Sequence, residues 1–415
     1  MKKNVLIVLT DLPYPLEHGG DQAMFNNVAC VKDECNVYCV YRGGIKKNYF
    51  DKKEALEKIW GNVKIYPYIE TEKGKSAWGL FNQIVKEIKM RFFNKNPFYR
   101  MHRVIESFDV APYGFYNFIE KLIKELKIDI VQIEMLQYVN LVLALPPSVK
   151  TVLVHHEIRF VTNELNLSRF PKDQIFNYRK ACVQYAKIYE IGVLNKFDAI
   201  VTLSYTDSQK LMNAGVTSPI YTSRAIVNTQ IPEDIISDDG HVLTYVGPES
   251  HYPNVLAVKW FLENCWNSLL KEDNKYVFRI IGKWSENTIK KIKSEYLSVE
   301  FTGFVENLHS AIQNTVSIIP LTVGSGIRMK ILEAATIGVP FISTTVGVEG
   351  LPFVNGEDCF VDDEPQTFVE DILKLRDKSL RLQFIRSAQE KVKFNYSFGA
   401  LRNDRLAMYE ELLRT

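Results

Sequence analysis

Residues 316–350 read VSIIPLTVGSGIRMKILEAATIGVPFISTTVGVEG. The stretch opens on a short apolar run, Val316–Leu321, of a length suited to a buried strand. Thr322–Gly326 supplies small residues that tolerate a turn. From Ser325 the period changes, and Ile327, Ile331, Leu332 and Ala335 recur at helical spacing. The pattern predicts a helix from Ser325 to about Ile337, stopped by Gly338 and kept from resuming by Pro340. A second apolar run, Val339–Ile342, follows as the next strand.

Strand, glycine loop, helix and strand in that order carry a chemical consequence. The first N–H groups of a helix have no partner within it and bear partial positive charge, so they attract anions. Gly324 and Gly326 let the backbone approach such an anion closely. Arg328 and Lys330 fall near the first turn, where positive side chains oppose the helix dipole. That placement is locally unfavourable and becomes reasonable if a diphosphate is held there. Glu333, further along, is placed to accept hydrogen bonds from two sugar hydroxyls. On spacing alone, an ordinary βα turn with basic surface residues fits equally well.

Gly324 through Ala334, G-S-G-I-R-M-K-I-L-E-A, resembles the signature of the family 4 retaining nucleotide-sugar glycosyltransferases. Many members carry Glu-x7-Glu across this loop and helix. Here Glu333 occupies the second position and Ser325 stands at the first, which matches a subgroup. The resemblance implies an α/β chain of GT-B architecture, two Rossmann-like domains with parallel sheets facing a central cleft. It implies a nucleotide-diphosphate sugar as donor, a glycan or lipid-linked acceptor, and no divalent metal or other cofactor. Arg328 and Lys330 would stabilise the leaving diphosphate, and Gly324, Ser325, Gly326 and Glu333 would hold the donor.

The rest of the chain fits two αβ series. Asn4–Thr10 is a first strand, and the loop Asp11–Gly20 leads into a helix near Asp21. The pair Gly19–Gly20 is either a tight turn or, as the resemblance implies, a contact to donor phosphates or acceptor. Ile128–Ile133 is a strand with Glu134 at its carboxyl end. Val152–Val154 is another, followed at once by His155, His156, Glu157 and Arg159. Titratable residues just past a strand end are where an α/β sheet places its ligand chemistry. The family has a histidine here facing the transferred sugar. His156, with Glu157 behind it, is the preferred match and His155 the rival.

Gln230–His241 is polar and marks a linker, which divides the chain into 1–230, 241–393 and a tail helix, 394–415, that crosses back to the first domain in this architecture. Val242–Val246 starts the second series, with a helix expected over Val255–Leu270. Its loop from Gly247 to Asn254, GPESHYPN, has neither the Arg nor the Lys that many family members use to grip the diphosphate. The work shifts to Arg328 and Lys330, with His251 a minor candidate. Thr302–Val305 follows a strand; the family sets the nucleotide base against this segment through backbone groups, which singles out Gly303 and Val305.

Composition narrows the class. Of 415 residues, 46% are hydrophobic and 24% charged, with a net charge of +2, so nothing global favours nucleic acid. Six cysteines without a C-x-x-C pair fit a reducing compartment and no zinc site. No apolar run reaches the roughly 18 residues of a membrane span. The amino-terminal MKKNVLIVLTD reads as a buried strand rather than a signal peptide. Lys73–Arg103 is basic and interleaved with Trp78, Phe81, Phe92 and Phe93. It suits either a helix packed on the domain core or a membrane surface. The expected place is the cytoplasm, with docking on the inner face of the cell membrane. A nucleotide-sugar epimerase of the same fold and a non-catalytic sugar-nucleotide-binding protein are the alternatives.

Overall fold

Val5–Leu9 are wholly buried, and they form the middle of the first of two parallel sheets. A strand covered on both faces needs such an uninterrupted apolar run, and a parallel sheet covers its strands that way. The computed structural model describes residues 2–16, 19–43, 49–69, 110–168, 170, 172–223, 240–324 and 326–414. The run Lys73–Arg103, Ser325 and all but the last two residues of the polar linker Gln230–His241 lie outside them.

The first sheet contains β1 (Asn4–Leu9), β2 (Asn36–Gly43), β3 (Lys64–Ile69), β4 (Ile130–Glu134), β5 (Lys150–His155), β6 (Ala199–Thr202) and β7 (Ile220–Thr222). Their order is β3-β2-β1-β4-β5-β6-β7, with every pair parallel. The second contains β8 (Val242–Val246), β9 (Val277–Ile281), β10 (Val299–Gly303), β11 (Val316–Ile319), β12 (Phe341–Ser343) and β13 (Phe360–Val361). It runs β10-β9-β8-β11-β12-β13, again parallel throughout. Counted from its own first strand, the second sheet has the order 3-2-1-4-5-6 and the first the same order with a seventh strand at its end, the doubly wound arrangement of nucleotide-binding folds. In each, the direction of winding reverses between the first and fourth strands.

The chain divides into two compact units, Met1–Ser223 with Arg402–Thr415, and Arg224–Leu401. The last helix, Phe398–Arg414, spans the division, and its residues from Arg402 onward belong to the first unit. In the first unit, Phe115, Ile119 and Leu122 of the helix Tyr113–Leu126 share a core with Leu6, Val8 and Val131 of the strands. In the second, Phe261, Trp266 and Phe368 close over Phe278 and Ile280. All six cysteines are thiols. Among the described residues no helix is long and apolar enough to cross a membrane.

Two elements depart from the sequence reading for physical reasons. The helix expected from Ser325 begins at Met329, because Gly324 and Gly326 sit at φ 142° and 77°, where a right-handed helix cannot pass. Its end is as expected: Gly338 caps it at φ 84°, and Val339 N–H donates to Ala334 O at 2.9 Å. The helix expected over Val255–Leu270 starts at Tyr252 and widens into a π turn over Leu262–Trp266. Its buried residues Ala257, Phe261, Cys265 and Leu269 repeat every four positions. Such a stripe drifts about 40° per turn on a 3.6-residue helix, and a wider turn brings it back to one face.

The strand ends of the second sheet meet closely. A Cβ on Gly282, just past β9, would lie 2.6 Å from the carbonyl oxygen of Gly247, just past β8. Backbone cannot yield there as a flexible side chain does. Gly356 also has a positive φ, 79° against 137° at Gly282, but open space around it. Gly282→Ala is therefore expected to destabilise the second unit by roughly 1–2 kcal/mol more than Gly356→Ala, through added strain and clash. Urea midpoints followed by tryptophan fluorescence check this. Equal losses in the two variants would contradict the close approach.

Candidate functional site

The winding reversal between β8 and β11 defines a crevice at the carboxyl ends of the second sheet, where open α/β sheets take their ligands. Glycines stand at the strand ends around it: Gly303 closing β10, Gly282 after β9, Gly247 after β8, and Gly324 and Gly326 after β11. Gly247 has Asn254 against it, so that a Cβ there would lie 2.5 Å from Nδ2. Gly303 has φ 73° and open space beside it. The Val305 side chain is half-buried and packs beside Ile281, Ile312, Ala334 and Val339. Phe304 is exposed, with Lys283 Nζ 5.2 Å from its ring centroid.

Lys330 reaches across this crevice. Its Nζ donates to the Tyr245 hydroxyl at 3.0 Å and to Asn254 Oδ1 at 2.8 Å, and lies 4.3 Å from the Tyr245 ring centroid. Tyr245, in the middle of β8, also donates its hydroxyl proton to Asn254 Oδ1 at 2.8 Å. Asn254 donates in turn to Pro248 O at 2.9 Å, which holds the loop after β8. The residue as a whole is half-buried, yet its ammonium is enclosed by these groups. Burial brings the Lys330 amine down to about 7; nearby Glu333 works against that shift and Arg328 adds to it. Burial also pushes the Tyr245 phenol well above its usual range.

Arg328 is the residue immediately before the helix rather than part of its first turn. It is buried, and its guanidinium donates to Gly326 O and, at 3.2 Å, to Val346 O. It thus ties the glycine loop after β11 to the short helix Thr345–Val348 after β12. Glu333 is half-buried on the same helix as Lys330. The structure brings Lys330, Arg328, Gly324, Gly326 and Glu333 into one neighbourhood. Tyr245 and Asn254 were not legible as site residues, since a strand tyrosine and an asparagine in the first turn of a helix carry no motif.

In the first unit the corresponding reversal lies between β1 and β4. Gly19 and Gly20 form the first turn of the helix Gly19–Ala29. The two histidines separate cleanly. His155 ends β5 with its side chain fully buried, its Nε2 3.4 Å from Glu190 Oε1. Glu190 also accepts the backbone N–H groups of Arg159 and Phe160, at 3.1 and 2.8 Å. His155 is therefore a core residue beneath a helix start, which corrects its assignment to substrate binding. His156 is partly exposed, and its Nε2 lies 2.7 Å from Glu134 Oε2. The carboxylate behind it is Glu134; Glu157 is exposed and accepts from Thr162 Oγ1 at 2.7 Å.

Glu134 is fully buried and heavily bonded. Its Oε1 accepts from Gln132 Nε2 at 2.7 Å, and its Oε2 from Asn27 Nδ2 at 3.1 Å. From the last helix, Arg405 donates to Gln132 Oε1 at 2.8 Å and to Asn27 Oδ1 at 3.3 Å. Tyr409 also donates to Gln132 Oε1, at 2.5 Å. The next residue after Glu134, Met135, has φ 65° and ψ 165°, a region non-glycine residues rarely adopt. Its N–H is fixed to Val154 O at 3.1 Å, which turns the chain at the end of β4. Among the described residues no group of three or more His, Cys, Asp or Glu is arranged to hold a metal ion.

With this geometry in place, likeness to known proteins becomes informative. Residues 240–378, most of the second unit, match a family model described as glycosyl transferases group 1. No curated protein matches the sequence. Solved structures match its fold over nearly the whole length. S. aureus TarM, crystallised as a point mutant with fondaparinux, alpha-GlcNAc-glycerol and UDP, superposes with a TM-score of 0.69 at 14% identity, covering 98% of this chain and 99% of that one. Anabaena HepE with UDP and glucose gives 0.66 at 11%, covering 99% and 100%. The pneumococcal O-GlcNAc transferase GtfA with UDP and GlcNAc gives 0.67 at 10%, covering 100% of both. The fold is that of the GT-B glycosyltransferases.

The Lys330 amine makes a stability test possible. An amine at about 7 in the folded protein and near 10.5 unfolded binds its proton less tightly when folded. Stability then rises with pH between those values and is lost as pH falls through 7. The excess of wild-type Tm over that of Lys330→Met is expected to grow from pH 7 to pH 10. A constant difference across that window would contradict the enclosed amine.

Proposed function

We propose that this chain is a retaining glycosyltransferase, moving a sugar from a nucleotide-diphosphate donor to a glycan or lipid-linked acceptor, most consistent with cell-surface polysaccharide synthesis at the cytoplasmic face of the membrane. The observation that carries the reading is Lys330, enclosed by Tyr245 and Asn254 at the winding reversal of the sheet whose residues match the glycosyl transferase model. In the solved relatives TarM, HepE and GtfA the crystals hold UDP, which supports a nucleoside diphosphate as the ligand of this unit.

In this reading the diphosphate lies against the loop Gly324–Gly326 and the amino end of the helix Met329–Ile337. That helix has no side chain capping its first turn. Its N–H groups and Lys330 oppose the negative charge that grows on the β-phosphate as the bond from sugar C1 to phosphate oxygen breaks. An arriving phosphate also favours the ammonium form of Lys330, so the cation is strongest when it is needed. Arg328 keeps the loop in shape through Gly326 and Val346, and Glu333 takes the ribose hydroxyls. The base lies by Gly303 and the backbone of Val305, and Gly247 makes room for Asn254, which holds Lys330 beside the phosphates.

The acceptor oxygen bonds to C1 on the face the phosphate leaves, and its proton passes to the departing phosphate. The reaction is assigned no metal, its charge being met by fixed donors. The basic, aromatic run Lys73–Arg103 is assigned to an anionic membrane surface, where a lipid-linked acceptor resides.

The reading is tested by a thermal-shift panel of UDP-, GDP- and ADP-sugars, followed by transfer assays with the sugar that binds. One class is expected to raise Tm; no shift with any of them would overturn the proposal. With the active donor, Lys330→Met is expected to lower kcat about 10²–10³-fold, the scale for losing one preorganised donor. Chelation with EDTA is expected to leave the rate unchanged. A sugar isomerised in the absence of acceptor would identify an epimerase instead.

A further inference from the structure

The bonds around Glu134 have a direction that can be traced. Arginine only donates hydrogen bonds. Arg405 therefore requires oxygen from both amides it touches, Gln132 Oε1 at 2.8 Å and Asn27 Oδ1 at 3.3 Å. Tyr409 reinforces the first of these at 2.5 Å. With their oxygens so committed, both amides turn their NH₂ groups to Glu134, at 2.7 and 3.1 Å. Glu134 then faces N–H donors at both oxygens, an arrangement that suits an acceptor-only carboxylate. The remaining neighbour, His156 Nε2 at 2.7 Å, must supply a proton to this acceptor. A neutral imidazole with hydrogen on Nε2 has its lone pair on Nδ1.

We propose that His156 presents Nδ1 as an unprotonated acceptor to a substrate hydroxyl, and that Arg405 and Tyr409 of the last helix impose this polarity through Gln132, Asn27 and Glu134. The hydroxyl as ligand rests on the glycosyltransferase reading; the polarity of the ring rests on the hydrogen bonds alone. Glu134, Gln132, Asn27, Arg405 and Tyr409 act as positioning residues. The last helix thereby has a chemical part in the first unit besides its apolar contacts. Arg405 and Tyr409 are both buried, as an internal source of hydrogen-bond direction must be if water is not to scramble it. An acceptor at this position selects a ligand that offers an O–H and disfavours one that presents only a carbonyl or ether oxygen.

The tautomer is read directly by long-range ¹H–¹⁵N correlation of histidine-labelled full-length protein at pH 8.5, with the His156 signals assigned by their loss in His156→Gln. Protonated Nε2 and bare Nδ1 are expected. Hydrogen on Nδ1, a mixture of tautomers, or a doubly protonated ring would overturn the proposal. Glu134→Gln, whose amide both donates and accepts, is expected to mix the tautomers; an unchanged pure tautomer there would remove Glu134 from the relay. Asparagine places its amide oxygen where Nδ1 stood, and glutamine places its end group where Nε2 stood. His156→Asn is therefore expected to keep about tenfold more kcat than His156→Gln, the worth of one hydrogen bond. The reverse order would contradict the role of Nδ1. The tautomer result supports or sinks the relay whether or not any nucleotide sugar is turned over.

Discussion

Enclosing an ammonium between the ring of Tyr245 and the carbonyl oxygen of Asn254 is the constraint on which the second unit is arranged. A cation withdrawn from water is costly, and the cost falls only when polar groups or an anion replace its hydration. Tyr245 and Asn254 supply part of that replacement, at 3.0 and 2.8 Å. To do so, the loop after β8 must fold back until Asn254 lies against Gly247, and Gly282 must pass close to the Gly247 carbonyl. Side chains at either glycine would push the loop away and leave the amine unpartnered. The glycines, the buried phenol and the asparagine are thus consequences of one lysine crossing from the helix to the neighbouring strand.

The two units solve the same topological problem with opposite signs of charge. Both wind 3-2-1-4-5-6, the first with a seventh strand at its end, and both gather polar side chains at the carboxyl ends where winding reverses. The second unit puts a cation there, suited to a diphosphate. The first puts a buried carboxylate there, with all its bonds taken by protein donors, and exposes only the imidazole in front of it. An anionic ligand would be repelled by that carboxylate, whereas neutral hydroxyls would not.

Much of the fold was legible because it is local. Apolar runs at Asn4–Thr10, Val242–Val246 and Val316–Leu321 marked central strands, and Gly338 marked a helix end where its φ of 84° places the cap. The helix after β11 began four residues later than its apolar spacing suggested, since spacing cannot reveal that Gly324 and Gly326 adopt positive φ. The π turn at Leu262–Trp266 was hidden for a similar reason: its signal is a repeat of four that a helical window absorbs. The sequence favoured His156 over His155 only through the family match, because adjacent residues of an extended segment face opposite ways and either register fits. Glu157 was the nearest acid in sequence to His156, and Glu134 proved the nearest in space. The groups that complete that site, Asn27, Gln132, Arg405 and Tyr409, are brought together from distant parts of the chain, and no short pattern announces them.

The central claim, that the Lys330 amine takes up a proton and becomes the cation that holds a diphosphate, is tested most directly by calorimetric titration of UDP and GDP into the protein at pH 8, in two buffers of different ionisation enthalpy. At that pH an amine at about 7 is largely neutral before binding and takes up a proton when the diphosphate arrives. The account predicts uptake approaching one proton for the nucleotide that binds, lost in Lys330→Met. Binding without proton uptake, or the same uptake in Lys330→Met, would contradict it.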